Sequence, residues 1–98
     1  MDKIKILQSK VNPVFDKYNI LRASLFGSMA RGEDGKNSDI DLMVKFPANF
    51  GGLFVMVKLK RELEKILKKK VDLLTYNSVN HRLKKYIDKD KILIYEKK

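Results

Sequence analysis

Three short, mostly apolar segments, residues 20–26, 39–46 and 71–75, are the strongest constraint this chain places on its own fold. Each is too short to bury a helical face, and Gly, Pro, Asn or clustered Lys stop it on at least one side, so each reads as a strand. The chain around them carries apolar residues at helical spacing instead. Ile4, Leu7, Val11, Val14 and Phe15 form one stripe within 2–18, and Met56, Leu59, Leu63, Ile66 and Leu67 form another within 53–69. A third stripe, Val79, Leu83, Tyr86 and Ile87, follows Asn77-Ser78, which can cap a helix over about 79–88. A last, peripheral strand is expected at 92–95. Helix and strand therefore alternate, and the chain of 98 residues has room for one core. The expectation is a single domain spanning 1–98, an α/β (α+β) fold with a small mixed sheet of about four strands and helices packed on it.

Local breaks refine this reading. Asn12-Pro13 interrupts the first stripe, because Pro13 lacks an amide donor and pushes Asn12 out of the helical region; two short helices or one kinked helix are expected. Ser28 is expected to open a short helix, Met29-Ala30-Arg31, that Gly32 closes. Residues 33–38 read as a loop through Asp34-Gly35 and Asn37, and Asp88-Lys89-Asp90 as a turn. Within 39–46 the period is two: Ile40, Leu42 and Val44 on one face, Asp39, Asp41, Met43 and Lys45 on the other.

Composition excludes several classes. With 44% hydrophobic and 35% charged residues the chain is too apolar for disorder, and it contains no Cys for disulfides or thiolate metal sites. A metal must be held by oxygen or by the single His81, and oxygen ligands point to a hard cation. No apolar run is long enough to cross a membrane and the N-terminus has no signal-peptide pattern, so a cytoplasmic location without a membrane partner is expected. The net charge of +10 is uneven: residues 1–50 hold 8 Lys/Arg against 6 Asp/Glu, and residues 51–98 hold 14 against 6. Such a basic half attracts nucleotides, nucleic acid or an acidic protein, and the same lysine enrichment accompanies heat adaptation.

Two pieces carry chemistry: Gly27-Ser28 where a strand meets a short helix, and Ser38-Asp39-Ile40-Asp41 entering the next strand. The first aims backbone amides and a hydroxyl outward, which suits a phosphate, although Gly-Ser also serves as a plain cap. Asp39 and Asp41, two apart on a strand, share a face and raise each other's proton affinity. A cation between them relieves that repulsion. Magnesium, held by one or two carboxylates and by phosphate oxygens, fits; a strand edge kept soluble by acids is the other reading. Asp72 places a third carboxylate inside an apolar strand, where an unpaired charge is costly. If that strand lies beside 39–46, Asp72 faces the same cation as Asp41, while Lys68, Lys69 and Lys70 offer it alternative partners.

The runs Leu25-Phe26-Gly27-Ser28-Met29-Ala30-Arg31-Gly32-Glu33, Ser38-Asp39-Ile40-Asp41-Leu42-Met43-Val44 and Val71-Asp72-Leu73 closely resemble the minimal nucleotidyltransferases of the polymerase-beta-like superfamily. The resemblance is tight over 25–44 and looser to Asp72 and beyond. It implies the nucleotidyltransferase fold, with Asp39, Asp41 and Asp72 as catalytic residues and as ligands of two magnesium ions. It also implies ATP as substrate, with Gly27 and Ser28 on the triphosphate and Arg31 near it; Arg31 also reads as a surface residue paired with Glu33 or Asp34. Small members are often the antitoxin of a module whose other half is an all-helical HEPN ribonuclease. The activity implied is therefore transfer of AMP from ATP to a hydroxyl, a tyrosine, of a HEPN toxin. The alternative is a non-catalytic antitoxin that neutralises its partner by occlusion; the intact acids favour catalysis. Larger relatives carry a second helical domain for the acceptor, and only 26 residues follow Asp72, so the acceptor site is expected on another chain. Nucleic acid is a less favoured partner.

Other features stand outside this constellation. His81 reads as a surface or capping residue. Phe46, Phe50 and Phe54 around Gly51-Gly52 read as a lid, a docking patch or packing under the loop.

Overall fold

The computed structural model describes residues 3–33, 35, 39–48, 51–76, 85 and 89–97. Along them lie α1 (Lys3–Lys17), β1 (Arg22–Phe26), α2 (Gly27–Ala30), β2 (Ile40–Lys45), α3 (Leu53–Leu67), β3 (Val71–Thr75) and β4 (Ile92–Glu96). The four strands form one mixed sheet in the order β3-β2-β1-β4. β1 pairs antiparallel with β2 and with β4, while β2 and β3 run parallel. A parallel pair needs a crossover, and α3 supplies it. The expected α+β architecture is the one the chain adopts, and among the described residues no helix is long and apolar enough to cross a membrane.

α1 and α3 cover one face of the sheet. Leu7, Val11, Val14 and Phe15 of α1 and Leu59 and Leu63 of α3 pack on Ala23, Leu25, Ile40, Leu42, Val44, Val71 and Ile94. Strand alternation sends Ser24, Phe26, Asp41, Met43, Asp72 and Leu74 to the opposite face. The acids thus stand on the side that the two long helices leave uncovered. Polar ties fix the frame: the Val71 amide donates to Glu64 Oε2 at 3.0 Å, the Ile40 amide to the Lys70 carbonyl at 2.9 Å, and Gln8 Nε2 to the Ile94 carbonyl at 2.9 Å. Tyr95 joins β4 to α1, its ring 5.4 Å from that of Phe15 and its hydroxyl donating to Asp16.

Several local expectations are corrected. Residues 3–17 form one helix with Pro13 inside it, not two short ones. An interior Pro costs about 3 kcal/mol, and burying an apolar side chain is worth about 1.5–3 kcal/mol, so the four buried residues of α1 outweigh the break. The strand expected at 20–26 begins at Arg22, and Asp39 lies one residue before β2. α2 begins at Gly27 rather than after Ser28: Phe26 occupies the cap position with extended backbone and no side-chain cap bond. In α3 only Leu59 and Leu63 of the expected stripe are buried, and Ile66 is exposed. The helix ends at Leu67, two residues early, because Lys68 turns left-handed (φ 55°) and its amide closes on the Glu64 carbonyl at 2.8 Å. Met43 shares the face of Asp41, as its place in the alternation implies, and is buried there. Lys89 and Asp90 are helical rather than a turn. The helix expected at 79–88, with its cap Asn77-Ser78, lies outside the described residues apart from Lys85, which is helical.

The passage from β1 to α2 places the acids. Gly27 sits at φ +77°, and a Cβ there would lie 2.1 Å from Asp41 Oδ2 and 3.0 Å from its Cγ. Gly32 has a similar φ of +74°, with nothing within 4 Å of the corresponding point. Gly27→Ala must therefore bear left-handed strain of about 1–2 kcal/mol and displace Asp41 as well, whereas Gly32→Ala bears the strain alone. Denaturant titration is expected to show the larger loss for Gly27→Ala; equal losses would contradict the close fit.

The Asp16 carboxylate, with burial second, pushes the Tyr95 hydroxyl up to about 12. Because the folded pKa lies above the unfolded value of about 10, the stabilisation is whole below pH 10 and is lost as pH rises through 12. The stability difference between the unsubstituted chain and Tyr95→Phe should shrink across that window in parallel denaturation curves; a constant difference contradicts the bond.

Candidate active site

The register of the sheet assembles the site. Asp41 is paired with Phe26, the last residue of β1, on one side and with Asp72 on the other. Because β2 and β3 are parallel and begin together, with Ile40 opposite Val71, both carboxylates fall at the start of their strands, beside the Gly27 turn. Asp39 precedes β2 and is half-buried, as Asp41 is, while Asp72 is exposed. The α2 turn closes through the Arg31 amide to the Gly27 carbonyl at 3.2 Å and the Glu33 amide to the Ser28 carbonyl at 2.8 Å.

Electrostatics follow from this crowding. The Asp41 carboxyl is raised above the usual carboxylate range, first by burial, then by the negative charges of Asp72 and Asp39, with Arg31 opposing. All three sequence-predicted acids thus act on one centre. Among the described residues no group of three or more Asp, Glu, His or Cys side chains is drawn together closely enough to hold a metal ion as it stands. Two neighbouring carboxylates flanked by a third still suit magnesium, which demands hard oxygen ligands and completes its shell with water and phosphate oxygens. The bare Gly27 Cα is the counterpart on the backbone side: Asp41 occupies the space a side chain would take.

Gly27, Ser28, Arg31, Asp39, Asp41 and Asp72 therefore lie in one neighbourhood, although Ser28 sits within α2 and not at its cap. Arg31 is engaged as the second sequence reading allowed: its Nε donates to Glu33 Oε2 at 2.9 Å, and its Nη1 also donates to Asp90 Oδ2 at 3.2 Å. Asp90 was not legible as a neighbour, since 59 residues separate the two. A second missed feature lies on the same face of the sheet. Buried Ser24 shares a 2.6 Å hydrogen bond with the Tyr76 hydroxyl, across β2, and Lys91 lies 5.8 Å from the Tyr76 ring. Its one signal was a serine within an apolar strand. Phe46 packs against the core, Phe54 is 73% exposed, and Phe50, Ser38 and His81 lie outside the described residues.

Known proteins share the sequence and the fold of this chain. The family model "Polymerase beta, Nucleotidyltransferase" matches residues 9–98. A Methanocaldococcus jannaschii protein named as a candidate protein adenylyltransferase is 46% identical over 81 residues, which are 83% of this chain and 86% of that one. A solved structure described as a candidate minimal nucleotidyltransferase superposes with a TM-score of 0.78 at 30% identity, covering 94% of this chain and 95% of the other. A toxin–antitoxin structure with AMP-PNP gives a TM-score of 0.78 at 22% identity, covering 93% and 74%. A Shewanella oneidensis complex of a tri-AMPylated HEPN toxin with its MNT antitoxin gives 0.73 at 19% identity, covering 96% and 73%. The last two likenesses show a common fold. The family match over residues 9–98 and the 46% identical relative decide the matter: the chain belongs to the polymerase-beta nucleotidyltransferase family.

Proposed function

We propose that this nucleotidyltransferase moves AMP from ATP, with magnesium, to a tyrosine hydroxyl of a helical HEPN toxin and so acts in the cytoplasm as that toxin's antitoxin. The observation that carries the reading is the in-register pairing of Asp41 with Asp72 against the Gly27 turn. The adenylyltransferase name of the M. jannaschii relative supports the reaction, and the AMPylated toxin bound to an MNT antitoxin supports the acceptor class.

Each residue has a part. The Gly27-Ser28 turn binds the triphosphate through its backbone, and Arg31 beside it offsets negative charge. Asp39, Asp41 and Asp72 would hold the two magnesium ions. Bound there, the metal lowers the pKa of an attacking hydroxyl and neutralises charge on the leaving group. Asp72, the most exposed acid, takes the proton from the tyrosine hydroxyl as its oxygen bonds to the α-phosphorus. The bond from that phosphorus to the bridging oxygen breaks, pyrophosphate leaves with the electron pair, and AMP stays on the tyrosine. The test is intact mass of the HEPN partner after incubation with this chain, ATP and magnesium. A gain of AMP groups is expected; an unchanged mass together with a stable complex points to occlusion instead.

The crowding of acids also sets the sign of a stability prediction. A carboxyl raised in the fold favours the protonated state, so its contribution is whole at acid pH and is lost as pH rises through the folded pKa. Asp41→Asn removes the repelling charge. At pH 7 it is expected to be at least as stable as the unsubstituted chain, with the difference vanishing below about pH 4. Magnesium with ATP should raise the melting temperature of the unsubstituted chain and not that of the variant, and the variant should transfer no AMP. Full transfer by Asp41→Asn contradicts the assignment.

A further inference from the structure

We propose that Asp90 is a positioning residue for nucleotide binding: together with Glu33 it clamps the Arg31 guanidinium beside the acids, with Nη2 left to meet the ligand's phosphate. This inference rests on the nucleotide site described above and names a residue that the sequence motifs do not contain. Arg31 Nε bonds Glu33 Oε2 at 2.9 Å and Nη1 bonds Asp90 Oδ2 at 3.2 Å. A guanidinium is a rigid plane with donors in fixed directions, so two carboxylates on two different nitrogens fix its rotation as well as its place. Among the described residues none bonds Nη2. The Arg31 amide is tied to the Gly27 carbonyl, so the side chain springs from the turn that carries the phosphate-binding backbone.

The clamp has a second consequence. Arg31 lies close enough to Asp41 for its charge to oppose the burial that raises that carboxyl. Freed from Asp90, the guanidinium would be able to turn to Asp41, whose carboxyl already feels its charge, and pairing there would consume a carboxylate that a cation needs. Glu33 alone does not prevent this: it is only two residues away, and its side chain is 65% exposed, against 24% for Asp90. Asp90 is the more fixed of the two, standing two residues before β4, which is hydrogen-bonded to β1. The edge of the sheet is thereby coupled to the triphosphate side of the site.

The pair is partly exposed and adds little to stability, so substitution leaves the fold intact and the readout is affinity. Calorimetric titration with AMP-PNP and magnesium compares the unsubstituted chain with Asp90→Asn, Asp90→Glu, Arg31→Ala and the Arg31→Ala/Asp90→Asn double variant. Asp90→Asn is expected to weaken binding by about fivefold or more with an unchanged melting temperature, and Asp90→Glu to recover part of it. In the Arg31→Ala background the Asp90 substitution should have no further effect. Binding by Asp90→Asn as tight as, or tighter than, that of the unsubstituted chain overturns the clamp, and so does an equal loss in the Arg31→Ala background. Failure of the unsubstituted chain to bind AMP-PNP overturns the nucleotide site itself, and the clamp with it.

Discussion

The carboxylate of Asp41 rests against the bare Cα of Gly27 and beside Asp72, and the rest of the structure is arranged so that this can happen. A half-buried acid next to a second acid is costly, and a small domain has few kcal/mol to spare. The cost is borne because the main core cluster lies on the other face of the sheet, where α1 and α3 bury their stripes, with Met43 and Ser24 buried on the acids' own face. Separating the two faces lets the stabilising and the charge-crowded halves of the protein coexist on strands only five or six residues long.

Topology does the placing. β2 and β3 run parallel, so their starts coincide and acids at positions 41 and 72 become neighbours without any loop having to carry them. The antiparallel β1 finishes where β2 begins and passes directly into α2, bringing the Gly27 turn and then Arg31 alongside. β4 closes the opposite edge, tied to α1 through Tyr95 and Gln8, and the residues leading into it deliver Asp90 to Arg31. Acids, backbone turn and guanidinium thus come from four places in the chain.

Much of this was legible in the residues. The strand at 71–75 shows as a short apolar run stopped by lysines, and that at 40–45 as the alternation of Ile40, Leu42 and Val44, which the face covered by α1 and α3 buries. The order of elements and the neighbourhood of Gly27, Asp39, Asp41 and Asp72 follow from the motif runs. What local reasoning missed depends on distant contacts. Pro13 signals a break only until the docking of α1 is weighed against it. Ser28 looks like a cap, yet Gly27 can take the positive φ that starts α2 one residue earlier. Met43 stands on the face of Asp41, and nothing in its neighbours along the chain reports what covers it there. The Arg31–Asp90 and Ser24–Tyr76 contacts span 59 and 52 residues, and no local pattern carries them.

The central claim is that three acids beside the Gly27 turn bridge divalent ions to a nucleoside triphosphate. Crystals of the chain grown with manganese and AMP-PNP test it through the anomalous signal of the metal. The account predicts manganese peaks within ligand distance of Asp41 and of Asp39 or Asp72, each shared with a phosphate oxygen. Manganese bound elsewhere, or a nucleotide seated away from the turn, would contradict it.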